Sequence, residues 1–272
     1  MLAPDTIRHV DDLAGRALDT NAANLQLGNE VFPIVRATFV RNRETPDIYD
    51  ANHVTSPQAR TPAQIDELLD ATDREFAHTT HRRFHVDFRT PPEFIARLLL
   101  DGGYERTDAL ISVLDGDLVG KASHWEIRPQ TSDADWEKFW ELMLVDWNEH
   151  HARIGRPVAE EVARRMWTAK KRKQPPVQYW LAHDGERAVG YLNSWEGVAG
   201  VGQVEDLFTL PEYRKQGVAT ALIHHCVAES RAKGAGPIVI ASDPTDTPKN
   251  IYARMGFRPI AIESKYLKRL AE

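Results

Sequence analysis

Apolar positions in the second half of the chain follow helical and strand periods in turn, and they predict an ordered series of elements. A stripe from Trp136 to Leu144 recurs at i, i+3, i+4, i+7 and i+8, which is typical of one helix face behind a cap at Ser132 or Asp133. Residues 177–182 and 188–195 are strand-like, and Asp184-Gly185 between them predicts a hairpin turn. From about residue 124 the predicted order is strand, two helices (the second from Pro157), three strands, helix, strand, helix and strand.

One junction in this series is suited to binding an anion. A β-prone segment, 204–209, ends in the turn 210–213, and a helical run begins near Ala219. The loop Arg214 to Thr220, called the anion loop below, therefore opens a helix. At that helix end the backbone N–H groups have no intrahelical acceptor, and the helix dipole is positive. Gly217 lets a phosphate approach the backbone without a side chain in the way.

Two motifs here resemble one enzyme family. The pattern Arg214-x-x-Gly217-x-Ala219 resembles the acyl-CoA loop of the GCN5-related N-acetyltransferases, Gln/Arg-x-x-Gly-x-Gly/Ala. The segment from Tyr252 to Phe257 resembles the family's Tyr-x-x-x-Gly-Phe. An asparagine often stands seven positions before that tyrosine, whereas this chain has Thr245. The resemblance covers about half of the chain, roughly residues 124 to 272.

The resemblance implies a set of functional residues. Acetyl-CoA would be bound through its pantetheine by the strand end and through its pyrophosphate by the loop, a set comprising Leu207, Phe208, Thr209, Arg214, Lys215, Gln216, Gly217, Val218, Ala219 and Thr220. The N–H of Phe208 would polarise the acetyl carbonyl. Tyr252 would give a proton to the CoA thiolate.

The general base is sought on the strand before the loop. Relatives often carry a glutamate at a similar distance, so Glu205 is preferred over its neighbour Asp206, and strand alternation predicts opposite faces for the two. Glu196 and the pair His150-His151 are reserves. Each of these side chains also has an ordinary interpretation as a solvated or capping group.

The first half carries a faint echo of the same order. A strand at 81–88, a helix from Pro91 or Pro92, Gly103-Tyr104 and a strand at 109–114 follow strands at 32–40 and 47–55 and a helix from Thr61 or Pro62. The loop Ser56 to Pro62, equivalent to the anion loop, has no glycine, and its prolines lack N–H groups. The position matching Tyr252 falls near Leu99.

These patterns predict an α/β chain (an α+β mixed sheet) of two acetyltransferase-like domains. Each would have a central, mostly antiparallel twisted sheet flanked by helices. Residues 1–120 would be a degenerate copy, and residues 121–272 the catalytic domain.

Composition narrows the class of protein. The 272 residues are 42% hydrophobic and 27% charged, and they carry a net charge of −6, which argues against a nucleic-acid binder. No apolar run predicts a membrane span and no signal peptide is evident. The single cysteine, Cys226, fits a reducing compartment, so a cytoplasmic location is expected. No histidine spacing indicates a metal site.

The sequence therefore predicts transfer of an acetyl group from acetyl-CoA to a primary amine of a small molecule or peptide, by direct attack in a ternary complex. A different acyl donor or an oxygen acceptor stays open. So does a non-catalytic CoA-sensing or partner-binding module. The protein would be a monomer or a homodimer.

Overall fold

A computed structural model describes residues 4–155 and 159–270. In the first half of this part, the elements are α1 (Pro4–Gln26), β1 (Glu30–Ile34), β2 (Ala37–Arg41), β3 (His53–Thr55), α2 (Pro62–Glu75), β4 (His81–Val86), α3 (Pro92–Asp101) and β5 (Glu105–Leu114).

The second half continues with β6 (Glu126–Pro129), α4 (Asp133–Ile154), α5 (Glu160–Lys171), β7 (Gln178–Asp184), β8 (Arg187–Val198), β9 (Val201–Thr209), α6 (Val218–Ala232), β10 (Ile238–Ser242), α7 (Pro248–Arg254) and β11 (Arg258–Arg269). The element order predicted from the apolar pattern is confirmed. The predicted start of α5 at Pro157 lies outside the described residues.

The chain divides into two compact units. Unit 1 comprises Met1–Ser112, Ala241–Lys249 and Pro259–Glu272, and unit 2 comprises Val113–Ile240 and Asn250–Arg258. In unit 1 the strand order is β1-β2-β3-β4-β11-β5, and in unit 2 it is β10-β9-β8-β7-β6. Most neighbouring strands with an assigned register are antiparallel, while β3–β4 and β9–β10 are parallel. The predicted fold class is confirmed. The functional division at residue 120 stays a prediction.

Two elements predicted in the first half are wrong. Residues 32–40 are not one strand but the hairpin β1–β2, because Val35 and Arg36 take left-handed φ values of 43° and 60° and reverse the chain. Residues 47–55 are strand only from His53 to Thr55, after a short 3₁₀ helix, Tyr49–Ala51. The residues on both sides of this tight turn are apolar and form one continuous run in the sequence, so the apolar pattern alone does not show the turn.

The two faces of the unit 1 sheet differ in chemistry. One packs an apolar core with α2 and α3, in which the rings of Phe39, Phe76, Phe84 and Phe94 make stacked or edge contacts. Alternate residues of the same strands carry buried polar groups, including His53, His85 and Glu263.

Burial governs the charge of this polar cluster. The His53 ring stacks on the His85 ring at 4.2 Å, and burial lowers the pKa of His53 well below its usual range. Burial also lowers the pKa of His85 despite Glu263, whose Oε1 lies 3.5 Å from His85 Nδ1. The charged neighbours around the two rings are Asp50, Arg83, Glu263 and Lys265. The histidines are therefore neutral in the folded protein near pH 7.

Unit 1 should lose stability on acidification because of these histidines. The unfolded chain binds protons below about pH 6.5, whereas the folded chain does not, so the stability is complete above that pH and falls below it. Each buried histidine contributes up to about 1.4 kcal/mol per pH unit. Urea denaturation of the wild type and of His53→Phe at pH 8, 6 and 5 measures the effect. The variant should lose less stability between pH 8 and 5, and parallel losses would contradict the prediction.

Candidate functional site

The strand β9 separates from β10 inside unit 2. The two pair in parallel at Ile238 with Gly202 and at Val239 with Gln203, while β8 stays paired with β9 as far as Thr209. A side chain at Gly202 would bring its Cβ to 2.7 Å from Ala235 Cβ, so glycine permits the close approach before the separation. Beyond it, alternate backbone groups of β9 from Leu207 to Thr209 point away from β8, where an extended ligand can pair with them.

A β-bulge lies on this separated part of β9. Asn193 is opposite Glu205 and Tyr191 is opposite Phe208, so β9 carries one extra residue over the same span. Asp206 in the bulge has a left-handed φ of 65°. The bulge breaks the strict alternation of the strand. The expectation that Glu205 and Asp206 point to opposite faces therefore no longer follows from spacing alone.

The Asp206 carboxylate is held by three donors. Its Oδ2 lies 2.8 Å from the Tyr179 hydroxyl, 3.1 Å from Asn193 Nδ2 and 2.6 Å from Lys170 Nζ. Burial favours the neutral acid, but Lys170, Lys173 and the hydrogen bonds outweigh it and lower the pKa of Asp206. Asp206 is therefore ionised at neutral pH and anchored.

A second carboxylate, which the sequence did not single out, behaves in the opposite way. Asp146 on α4 accepts a hydrogen bond from the Tyr191 hydroxyl at 2.9 Å. Burial raises the pKa of Asp146 despite this bond, and the nearby charge of Asp206 adds to the rise. Two acids in neighbouring environments with pKa values displaced in opposite directions are a common feature of sites that transfer protons. The sequence does not point to Asp146, because this residue lies beside the apolar stripe of α4, where a charged side chain is usually exposed to solvent.

The loop Arg214 to Thr220 joins β9 to the start of α6, as the sequence predicts, and its binding of an anion stays a prediction. Leu210 donates its N–H to Val189 O at 2.9 Å, a 3₁₀ turn (Pro211–Tyr213) follows, and α6 begins at Val218 behind Gly217, whose φ is 85°. No side chain caps this helix end. The first N–H to donate within the helix is that of Ala221, to Gly217 O at 3.0 Å. The N–H groups before it point out of the helix end.

The polar side chains of the loop are mostly engaged within the protein. Arg214 donates to Thr209 O at 3.1 Å and pairs with Glu149. Gln216 Nε2 donates to Glu212 O at 2.8 Å. Lys215 is exposed, with a left-handed φ of 61°. An anion at this loop would therefore meet mainly backbone N–H groups, with Lys215 as a nearby exposed cation.

Tyr252 lies on α7 and is 4% exposed. Its carbonyl accepts the N–H of Phe257 at 3.0 Å, and the two rings are 6.1 Å apart, so the Tyr-to-Phe segment closes the helix as expected. Glu205 is half-buried. In unit 1, Leu99, near the matching position, lies on α3 and is 62% exposed.

Other chemistries find no support in the described part of the chain. No group of three or more His, Cys, Asp and Glu side chains there is arranged to hold a metal ion. Burial raises the pKa of the Cys226 thiol well above its usual range, which makes it a poor nucleophile. None of the described helices has the length and apolarity needed to cross a bilayer.

Comparisons with known proteins bear on the family and the fold. Residues 136–257 match the model of the acetyltransferase (GNAT) family. A functionally unknown conserved protein from Staphylococcus epidermidis is 14% identical, with a TM-score of 0.68 over 89% of this chain and 94% of that one. A GCN5-related N-acetyltransferase from Kribbella flavida is 16% identical, with a TM-score of 0.66 over 95% and 96%.

A further solved structure has the two-domain arrangement. It is a tandem GNAT protein from the clavulanic acid biosynthesis pathway, 14% identical, with a TM-score of 0.56 over 81% of this chain and 76% of that one. At such identities the structural likeness shows the fold. No curated protein matches the sequence.

The bulge residue offers a test of this site's construction. Aspartate and asparagine tolerate a left-handed backbone, whereas alanine there costs about 1–2 kcal/mol. Asp206→Asn also keeps an oxygen acceptor for Tyr179, and both variants lose the charge that pairs with Lys170. In urea denaturation, Asp206→Ala should lower the free energy of unfolding by about 1–2 kcal/mol more than Asp206→Asn does. Equal losses would mean that the left-handed bulge is not a constraint.

Proposed function

We propose, starting from the membership of residues 136–257 in the acetyltransferase (GNAT) family, that this protein transfers an acetyl group from acetyl-CoA to a primary amine. The acceptor is a small molecule or the amine of a peptide, and it attacks directly in a ternary complex. Acetyl-CoA supplies an activated thioester carbonyl. The C–N bond forms at that carbonyl as the C–S bond breaks.

One contrast between two helix ends carries the proposal. At the start of α2 in unit 1, Thr61 accepts the N–H of Gln64, Gln64 reaches back to the N–H of Thr61, and Pro62 has no N–H to offer. At the start of α6, Gly217 provides no side-chain cap, and the N–H groups remain available. Unit 1 satisfies its helix end internally, while unit 2 leaves one suited to a pyrophosphate.

The anion loop and the end of β9 would bind different parts of the acyl donor. The N–H groups of Gln216 to Thr220 would bind the pyrophosphate, with Arg214 and Lys215 adding positive charge. The expected role of the Phe208 N–H in polarising the thioester carbonyl does not fit the strand pairing, because Leu210 donates its N–H to Val189 O and strand alternation then directs the N–H of Phe208 toward Tyr191 on β8. The separated part of β9, Leu207 to Thr209, would instead pair with the pantetheine amides through the backbone groups that point away from β8. The open β9 edge and the bulge support this assignment.

Proton transfer needs a base for the amine and an acid for the thiolate. We assign the base to Glu205, acting directly or through water, and the acid to Tyr252. Asp206, held ionised by Lys170, would shape the site and attract a cationic amine rather than take the proton. Asp146 on α4, whose pKa is raised and which lies near Asp206, is a second candidate base.

The experiment is a thiol-release assay with acetyl-CoA against a panel of primary amines. Wild type should release CoA thiol only with an accepted amine, and Tyr252→Phe should lower kcat by about 10²- to 10⁴-fold because the thiolate loses its proton donor. Tyr104→Phe in unit 1 is a matched tyrosine control and should keep the wild-type kcat.

The alternative is a CoA-sensing or partner-binding module with the same fold. Tight CoA binding by the wild type, with no turnover on any amine, would favour that module and refute the enzymatic proposal. A kcat that is high with acetyl-CoA and falls with longer acyl-CoA donors would identify the transferred group as acetyl.

A further inference from the structure

The segment between β5 and β6, residues 115–125, contacts the anion loop through two side chains. Ser123 Oγ donates to Gly217 O at 3.0 Å, and Trp125 Nε1 donates to Gln216 O at 2.9 Å. Both acceptors are main-chain carbonyls of consecutive loop residues. Neither Ser123 nor Trp125 is part of the sequence motifs, and both lie about ninety residues before the loop.

Peptide geometry turns these two bonds into a constraint on the opposite side of the backbone. In a trans peptide the C=O of one residue and the N–H of the next point in opposite directions within one plane. Both peptides here are trans. Fixing the carbonyl of Gln216 therefore sets the direction of the Gly217 N–H, and fixing the carbonyl of Gly217 sets that of the Val218 N–H.

The loop needs such a constraint. Lys215 and Gly217 both have left-handed φ values, 61° and 85°, and glycine has many alternative conformations. A Cβ on Gly217 would lie 2.8 Å from Ser123 Oγ and 2.9 Å from Ser123 Cβ, so the two segments are in close contact.

The segment is itself held at several points within unit 2. Val119 donates its N–H to Met255 O at 3.0 Å, and the Arg231 guanidinium donates to Gly116 O. The Trp125 ring packs edge-on against Tyr213 at 5.9 Å. Ser123 and Trp125 therefore contact the loop from a fixed support.

We propose that Ser123 and Trp125 are positioning residues that orient the N–H groups of Gly217 and Val218 toward the pyrophosphate of the acyl donor. The inference rests on the proposed function and extends it to the segment before β6. Both residues act through the backbone, from the face of the loop opposite the anion. They should therefore strengthen the binding of a donor that carries the pyrophosphate, and they should not affect a donor that has only the pantetheine and its thioester.

The test uses Trp125→Phe, which removes the indole N–H and keeps an aromatic ring against Tyr213, together with Ser123→Ala and the double variant. Calorimetry gives the Kd for CoA. We expect about tenfold weaker binding in each single variant and about 30- to 100-fold in the double variant, because two donors to a charged group are misaligned. With acetyl-pantetheine, which has the thioester but no pyrophosphate, KM should stay within about twofold of wild type.

Trp167→Phe is the matched control. It also removes an indole N–H that donates to a main-chain carbonyl, that of Trp136, at 3.3 Å. This variant should bind CoA as the wild type does, and urea denaturation of all variants verifies that they fold.

Unchanged CoA binding in the double variant would overturn the inference while leaving the proposed function intact. Equal losses for CoA and acetyl-pantetheine would also overturn it, since they would mark a general structural role. A wild-type chain that binds no CoA would refute the proposed function and the inference together.

Discussion

The short parallel pairing of β9 with β10 is the constraint on which the unit 2 site depends. The strands touch closely at Gly202, where no side chain would fit, and then β9 follows β8 alone. That departure leaves a strand edge available at Leu207 to Thr209, and the chain must then turn into α6 within a few residues. Strand edge, bulge and helix end are therefore consecutive in sequence and adjacent in space.

Two polar arrangements support this backbone. Lys170, Tyr179 and Asn193 hold Asp206 at the bulge, where a left-handed residue would otherwise be costly. Ser123 and Trp125 hold the carbonyls of the loop that follows. A site built on main-chain N–H groups gains its precision from such bonds, because it has few side chains of its own to orient.

Much of this could be predicted from the sequence, since local patterns carry the information. The sequence predicts a cap at Ser132 or Asp133 and a helix start at Thr61 or Pro62, and in the structure Ser132 and Thr61 are capping-box residues. It also predicts a helix opening at Gly217, which is where α6 begins. The hairpin at Val35-Arg36 was missed, because neither residue is typical of a left-handed turn.

The remaining parts depend on contacts between distant segments. Asp146 meets Tyr191 across 45 positions, and Trp125 meets Gln216 across 91. No periodicity links such pairs. The bulge at Asp206 likewise became visible only from the register of β8 against β9, which a single strand does not encode.

The central claim is that one anion loop, at the start of α6, holds the acyl donor. Backbone amide signals of ¹⁵N-labelled protein titrated with acetyl-CoA test it most directly. The signals of Gly217, Val218 and Ala219 should shift and saturate at one ligand per chain, while those of Ser56 to Thr61 in unit 1 stay in place. Shifts confined to the unit 1 loop, or no change at Gly217 to Ala219 under saturation, would contradict the account.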